Sequence, residues 1–255
     1  MPLLVGGAGS GKSEVIRLLG LAAENLTSQE KTPFAAHTFK WVNLHEIPSL
    51  QDMIHRSPNG GSKDFRAPLG DSPLTLFPTE IQSQIVRFAT PSAKNLILGM
   101  NPSPVLHPDP QSQFIRDEIL NYYSQKAGHP LSHKEILDAL NRHVVVERRV
   151  LGLTYGTMPV IEAQGNNLDI QGLFMAPNPV VKFGAGAGPT HPMAWHFNGK
   201  ILLANGGAVF LDEFFRNPDD LKNMLIGVFE SRRLSNGGAP TVPRDAEMLA
   251  ASNTA

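Results

Sequence analysis

Short apolar runs and amphipathic stretches alternate along the chain. Leu3–Val5, Ala208–Leu211 and Met248–Ala251 are apolar runs bounded by glycine, asparagine or acidic residues, which is typical of buried strands in a parallel sheet. Residues 221–229 instead place apolar side chains at i, i+3, i+4, i+7 and i+8, which predicts a helix with one buried face. The pattern favours an α/β fold in which a parallel sheet is flanked by helices.

The middle of the chain has a different character. Arg56–Pro78 is rich in Gly, Pro, Ser and Asp and is predicted as loop. Beyond it the pattern predicts a strand over Asn95–Met100 and helices over Phe114–Gln125 and Ser132–Asn141, the last opened by a capping box of Ser132 with Glu135. We expect residues 56–141 to form a helical and loop insertion that packs as a small subdomain on the main core.

Composition narrows the class of protein. The 255 residues carry a formal net charge of −1 with both signs mixed along the chain, so no overall field favours nucleic acid or anionic lipid. The absence of cysteine excludes disulfides, zinc-thiolate sites and thiol nucleophiles. No apolar stretch approaches the roughly 20 residues that span a bilayer. A cytoplasmic protein without a membrane or nucleic-acid partner is therefore expected.

A glycine-rich motif follows the first apolar run. Residues 6–13 fit G-x-x-x-x-G-K-[ST], the P-loop or Walker A pattern, between a predicted strand and a helix beginning near Glu14. The backbone N–H groups of such a loop, together with the positive end of the helix, bind phosphates. Lys12 is expected to reach the β- and γ-phosphates of ATP, and Ser13 to ligate Mg²⁺. The nucleotide-binding residues predicted here are Gly6, Gly7, Ala8, Gly9, Ser10, Gly11, Lys12 and Ser13.

The apolar run at 208–211 ends in two acids, Asp212 and Glu213. This is the pattern of a buried strand with carboxylates at its carboxyl end, where open α/β sheets bind ligands. We expect Asp212 to hold Mg²⁺ and Glu213 to deprotonate the attacking water. Upstream, Lys200–Leu203 is predicted as another strand, joined to the acidic one by a turn over Ala204–Gly207.

The last apolar run ends at Asn253. In P-loop ATPases with an extra strand between the two nucleotide motifs, an Asn at this place helps to position the hydrolytic water, although an Asn after a strand is more often a simple turn residue.

Only Pro2–Val5 precede the first motif glycine, and the chain stops two residues after Asn253. This pattern favours a fragment of a longer protein, with an ATPase core over 1–255.

Several stretches resemble the AAA+ portion of the PrkA family of bacterial serine protein kinases. The resemblance rests on Val145–Leu151, Asn167–Gly172, Phe197–Gly199 with Leu203–Gly207, and the strand that ends at Asn253, and upstream on Phe39–Val42 and Asp71–Phe77. It implies an AAA+ fold, ATP binding, a ring-shaped homo-oligomer and a serine/threonine protein kinase label. The pair Asp212 and Glu213 is better formed than is usual in that family, which favours hydrolysis. Phosphotransfer to a protein substrate does not follow from these residues.

AAA+ rings also need an arginine that reaches the nucleotide of a neighbouring subunit. Arg232 and Arg233 are the preferred pair, ahead of Arg216 and Arg244.

The loop Gly184–Pro189 is either a flexible surface loop, the favoured interpretation, or a substrate-gripping loop assisted by Trp195 and Phe197.

Three functions stay open at this point. The first is a motor, regulatory or protein-remodelling ATPase of PrkA type. Another is a nucleotide-binding scaffold that binds ATP with negligible turnover. The second is an enhancer-binding AAA+ transcription activator, which shares the pattern of residues 204–213 but carries a Gly-Ala-Phe-Thr-Gly-Ala loop that this sequence lacks.

Overall fold

A computed structural model describes a large part of the chain. The described residues are 3–6, 11, 12, 14, 15, 18, 37–55, 65–88, 108–148, 160–162, 173–179, 181, 182, 188–197, 199–203, 208–212, 218–231, 233, 234, 242, 243 and 247–253. The predicted strand Asn95–Met100 lies outside them. No helix in the described ranges is long and apolar enough to cross a membrane.

One sheet is assembled from the two ends and the centre of the chain. Its four strands are β1 (Leu3–Gly6), β5 (Val160–Glu162), β8 (Ala208–Asp212) and β11 (Glu247–Asn253). Their order across the sheet is β1-β11-β8-β5, and every neighbouring pair is parallel. The last strand in the chain therefore lies between the first strand and the acidic one.

Helix α6 (Asp219–Ser231) supports the acidic strand. Its buried Leu221, Leu225 and Val228 share a core with Leu211 of β8, and Met224 packs against that core while half-buried. For these positions the predicted buried face is confirmed. The apolar side chains fix the helix behind the strand whose carboxyl end carries Asp212. We call this the first core; it also includes Leu69, Phe174, Trp195, Phe197, Ile201 and Leu202.

A second sheet is antiparallel. Its strands β2 (His37–Trp41), β3 (Phe65–Arg66) and β4 (Val144–Arg148) lie in the order β3-β2-β4. Glu147 accepts ion pairs from Lys40 and Arg66 across the three strands, with N–O distances of 3.3 and 3.4 Å. Phe39 and Trp41 are buried on the inner side of β2 with their rings edge to face.

Four helices accompany this second sheet: α1 (Pro48–His55), α2 (Thr79–Phe88), α3 (Pro110–Ala127) and α4 (His133–His143). Helices α1, α3 and α4 bury a second core with the sheet, and its largest members are Phe39, Trp41, Ile47, Leu50, Ile115 and Ile119. The predicted helices over 114–125 and 132–141 are confirmed, with α3 longer at both ends. The capping box of Ser132 with Glu135 is confirmed as well.

Local chemistry explains the limits of α3. Asp109 caps its amino end, Pro110 occupies the first turn, and Gly128 ends it in the left-handed region at φ 74°. Pro is compatible with a first turn because the N–H it lacks has no partner there, and glycine adopts positive φ without steric cost. At the amino end of α6, Asp219 and Asp220 interact favourably with the helix dipole.

Two sequence-based assignments were wrong. Lys200–Leu203, predicted as a strand, is a single helical turn, α5. Ile201 and Leu202 are fully buried, so tertiary packing rather than the apolar run decides the conformation. Within the predicted loop Arg56–Pro78, the structure has β3 and a 3-10 helix, Pro73–Leu76, whose amino end is capped by Ser72.

The segment after residue 173 connects the two cores. Short strands β6 (Ala176–Pro177) and β7 (Trp195–His196) pair antiparallel. Met193 contributes to the second core, whereas Trp195 contributes to the first. The two remaining short strands, β9 (Arg233–Leu234) and β10 (Val242–Pro243), form a separate antiparallel pair after α6.

Candidate nucleotide-binding site

The carboxyl ends of the four parallel strands meet at one edge of the sheet. Gly6 is in register with Asn253, and Glu162 is in register with Asp212. Because Leu211 is level with Ala250, strand β11 runs further toward this edge than β8 does. Ligands of open α/β sheets bind in the crevice outside such strand ends.

A helix follows β1 in the chain. After Gly6 closes β1, Gly11 has a φ of 78°, and Lys12, Glu14, Val15 and Leu18 are helical. The N–H of Val15 donates to the carbonyl of Gly11 at 3.0 Å, which is the first helical hydrogen bond described. Lys12 therefore lies in the first turn of the helix that follows β1, and the amino end of a helix is a place where anions bind.

Gly11 has a conformational reason to be glycine. Its positive φ lies in the left-handed region, which side chains with a Cβ rarely adopt. A Cβ placed at this position would have no heavy atom within 4 Å, so the requirement comes from the backbone and not from crowding. The space beside the backbone is compatible with close approach of a ligand.

Only some of the other predicted site residues lie in the part of the chain that the structure describes. Gly7, Ala8, Gly9, Ser10, Ser13, Glu213 and Arg232 lie outside the described residues. Asp212 and Asn253 are described as backbone positions at the sheet edge, while Lys12 is half-buried. The structure thus brings the backbones of Gly6, Asp212 and Asn253 to one edge of the sheet. Each of these residues comes from a different one of the three motifs found in the sequence.

Arg233 lies away from that edge, at the end of α6. Its side chain is exposed, and Ser231 fixes its backbone: Arg233 N–H donates to Ser231 Oγ at 3.2 Å, and that hydroxyl donates to Arg233 O at 3.1 Å. Leu234, the next residue, is buried and pairs with Val242. Ser231 therefore fixes the backbone of Arg233, whose side chain is exposed.

Glu162 was missed by the sequence-based reasoning. It ends β5 in backbone register with Asp212, so a further acidic residue stands beside Asp212 at this edge. The signal was present in Val160-Ile161-Glu162, an apolar run that ends in an acid as 208–213 does. The run is too short to be recognised without knowing which strand is its neighbour.

Trp195 and Phe197 cannot assist a gripping loop as the sequence suggested. Only 7% of Trp195 and 3% of Phe197 is exposed, and both belong to the first core. The indole Nε1 of Trp195 also donates to the carbonyl of Pro189 at 2.6 Å, which fixes the last residue of the loop Gly184–Pro189. The part of that interpretation that concerns these two aromatic residues is wrong, because burial removes them from any substrate.

Metal ligands are not evident from side-chain clustering alone. Among the residues described, no group of three or more His, Asp or Glu side chains is arranged to hold a metal ion. The side chains of the predicted ligands Ser13 and Asp212 lie outside the part of the chain that the structure describes.

Comparison with protein-family models gave no match to this chain. A search of curated protein sequences also gave no match.

Proposed function

We propose that this chain is the ATP-binding and ATP-hydrolysing core of a P-loop ATPase of the AAA+ type, similar to the PrkA family. The observation that supports it best is the strand order β1-β11-β8-β5 in an all-parallel sheet. The motif that ends in Asn253 is the strand between the glycine-rich strand and the acidic one. This is the arrangement expected when an extra strand separates two nucleotide motifs.

The glycine-rich segment is suited to phosphate. It begins at the sheet edge with Gly6, contains the left-handed Gly11 and continues into helical Lys12. The N–H groups of the first helical turn and the lysine ammonium would bind the β- and γ-phosphates together. This is the step in which the protein orients ATP.

The acidic end of β8 supports metal binding and hydrolysis. The Ser13 hydroxyl and the Asp212 carboxylate are the oxygen donors that Mg²⁺ prefers. Mg²⁺, when bound, would neutralise part of the phosphate charge. Glu213, the residue after Asp212, would accept the proton of the attacking water, and Asn253 would hold that water by its amide.

The decisive test is the substitution Lys12→Ala. We expect no measurable ATP binding in calorimetric titration with ATP and Mg²⁺, because the ammonium makes its main interaction with phosphate. The far-ultraviolet circular dichroism should remain that of the wild type.

Lys134→Ala is the matched control, since Lys134 is an exposed lysine in the first turn of α4. It should bind ATP with wild-type affinity. An unchanged affinity in the Lys12 variant would refute the P-loop assignment and the proposed function with it.

A further inference from the structure

The amino end of α3 is a joint at which distant parts of the chain meet. The buried Asp109 accepts hydrogen bonds at Oδ1 from the N–H groups of Gln111 and Ser112, both at 2.9 Å. Gln111 Nε2 donates to the carbonyl of Trp195 at 2.7 Å and to that of Pro192 at 3.2 Å. Trp41 Nε1 donates to Ser112 Oγ at 3.5 Å. One helix turn thus holds the second sheet and the segment that connects the two cores.

A second carboxyl group meets Asp109 at this joint. Asp71 Oδ2 accepts the backbone N–H of Asp109 at 2.6 Å, so the Asp71 carboxyl lies directly against the capping residue. Asp109 Oδ2 is buried and has no hydrogen-bond partner. Two ionised carboxylates have no proton to donate, whereas one proton between them would satisfy that oxygen.

We propose that Asp71 and Asp109 share one proton in the folded protein, and that this proton closes a clasp between the 71–77 segment and helix α3. Leu69, just before the clasp, belongs to the first core, and Leu76, just after it, belongs to the second. Loss of the proton leaves two negative charges in contact at a buried position. The clasp therefore loosens the joint between the two cores as the pH rises.

Burial acts in the direction that the clasp requires. Desolvation raises the pKa of Asp109 above its usual range, and hydrogen bonds from Ser112, Asp71 and Gln111 oppose that shift. Elements packed against α3 carry other titratable groups as well. His143 of α4 is bonded to Tyr123 and Val42, and the ring of His191 packs on Phe114. The other groups on these elements are Asp52 and His55 of α1, and His133, Lys134, Glu135, Asp138 and Arg142 of α4.

The sign of the pH dependence follows from linkage. A carboxyl whose pKa is raised by folding stabilises the protein fully below its unfolded pKa, near 3.8, and loses that stabilisation as the pH rises through the folded value. Between the two values, one proton changes the folding equilibrium constant about tenfold per pH unit. The wild type should therefore lose stability with rising pH relative to a variant that needs no proton.

Asp109→Asn is such a variant. Asparagine still caps a helix, and its amide N–H₂ can donate to Asp71 at every pH. The free energy of unfolding of the wild type and of Asp109→Asn is measured by denaturant unfolding of the full chain from pH 4 upward. We expect the difference, wild type minus variant, to fall as the pH rises. The exposed Asp138→Asn is the control and should show no such trend.

The stability difference between the wild type and Asp71→Asn should fall with rising pH in the same way, because the asparagine amide can accept from the Asp109 N–H and donate to the Asp109 carboxyl at every pH. A pH-independent difference for both variants would overturn the proposal and leave Asp109 an ionised helix cap. Stabilisation of the wild type at alkaline pH by Mg²⁺, Ca²⁺ or Mn²⁺, lost in Asp109→Asn, would also overturn it in favour of a cation. If neither variant folds, the infrared band of a buried protonated carboxyl in the wild type decides: its absence throughout the pH range of the unfolding series refutes the shared proton.

Discussion

Glu213 and Asp212 are neighbours in sequence, yet their proposed tasks differ at the level of single atoms. Asp212 ends β8 and is assigned to the metal, whereas Glu213 is the next residue along the chain and is assigned to the proton. A carboxylate base can be replaced by an amide of the same shape, so its chemistry can be tested without changing the packing.

Glu213→Gln should bind ATP with wild-type affinity and hydrolyse it at least about 100-fold more slowly, the lower end of what a positioned general base contributes. Calorimetry gives the affinity and a phosphate-release assay gives the rate. A variant that turns over at the wild-type rate would show that Glu213 has no catalytic role.

At the scale of elements, the sequence predicted what local chemistry controls. The capping box that opens α4 and the apolar stripe of α6 were both legible, because a cap and a helical period each depend on residues a few positions apart. Lys200–Leu203 was misjudged because a short apolar run fits a strand or a buried helical turn equally well. Glu162 was missed because register between distant strands has no local signal.

Gly199 shows a close contact between elements that only the structure reveals. Its N–H donates to the carbonyl of Phe174 at 3.1 Å, and a Cβ at this position would lie 2.0 Å from that same oxygen. We expect Gly199→Ala to lower the free energy of unfolding by about 1–3 kcal/mol or more, the usual cost of overpacking. Urea unfolding measures it.

Gly227→Ala is the matched control in the same experiment. Gly227 is exposed on α6, and a Cβ there would meet no atom within 4 Å. Removing a glycine from a helix interior should raise stability by up to about 1 kcal/mol. Equal effects of the two substitutions would contradict the close approach at Gly199.

At the scale of the whole molecule, the proposed ATPase has a surface residue suited to a neighbouring subunit. The exposed Arg233 follows α6 in a turn fixed by Ser231. No acidic side chain in the described part of the chain forms an ion pair with it. An arginine supplied across a subunit interface is worth about 10³–10⁵ in rate.

We therefore expect the ATPase rate per subunit of the wild type to rise with protein concentration. In Arg233→Ala that rise should be lost while ATP affinity is retained, and Arg142→Ala, which removes an exposed arginine on α4, should behave as the wild type. Steady-state rates over a wide concentration range test this. A wild-type rate per subunit that is constant over the range would argue against assembly as a requirement for turnover.

The position of β11 in the sheet also has a consequence for how the protein is made. Leu3 of β1 pairs with Ala250 of β11, nearly the full length of the chain away, and β11 alone joins β1 to β8. A ribosome releases residues 247–253 long after β1 and 35 residues after the end of β8, so until then β1 and β8 have no hydrogen-bonded link through β11. Contacts of such long sequence separation slow folding. The nascent chain must therefore keep the exposed edges of β1 and β8 from pairing elsewhere until β11 is released.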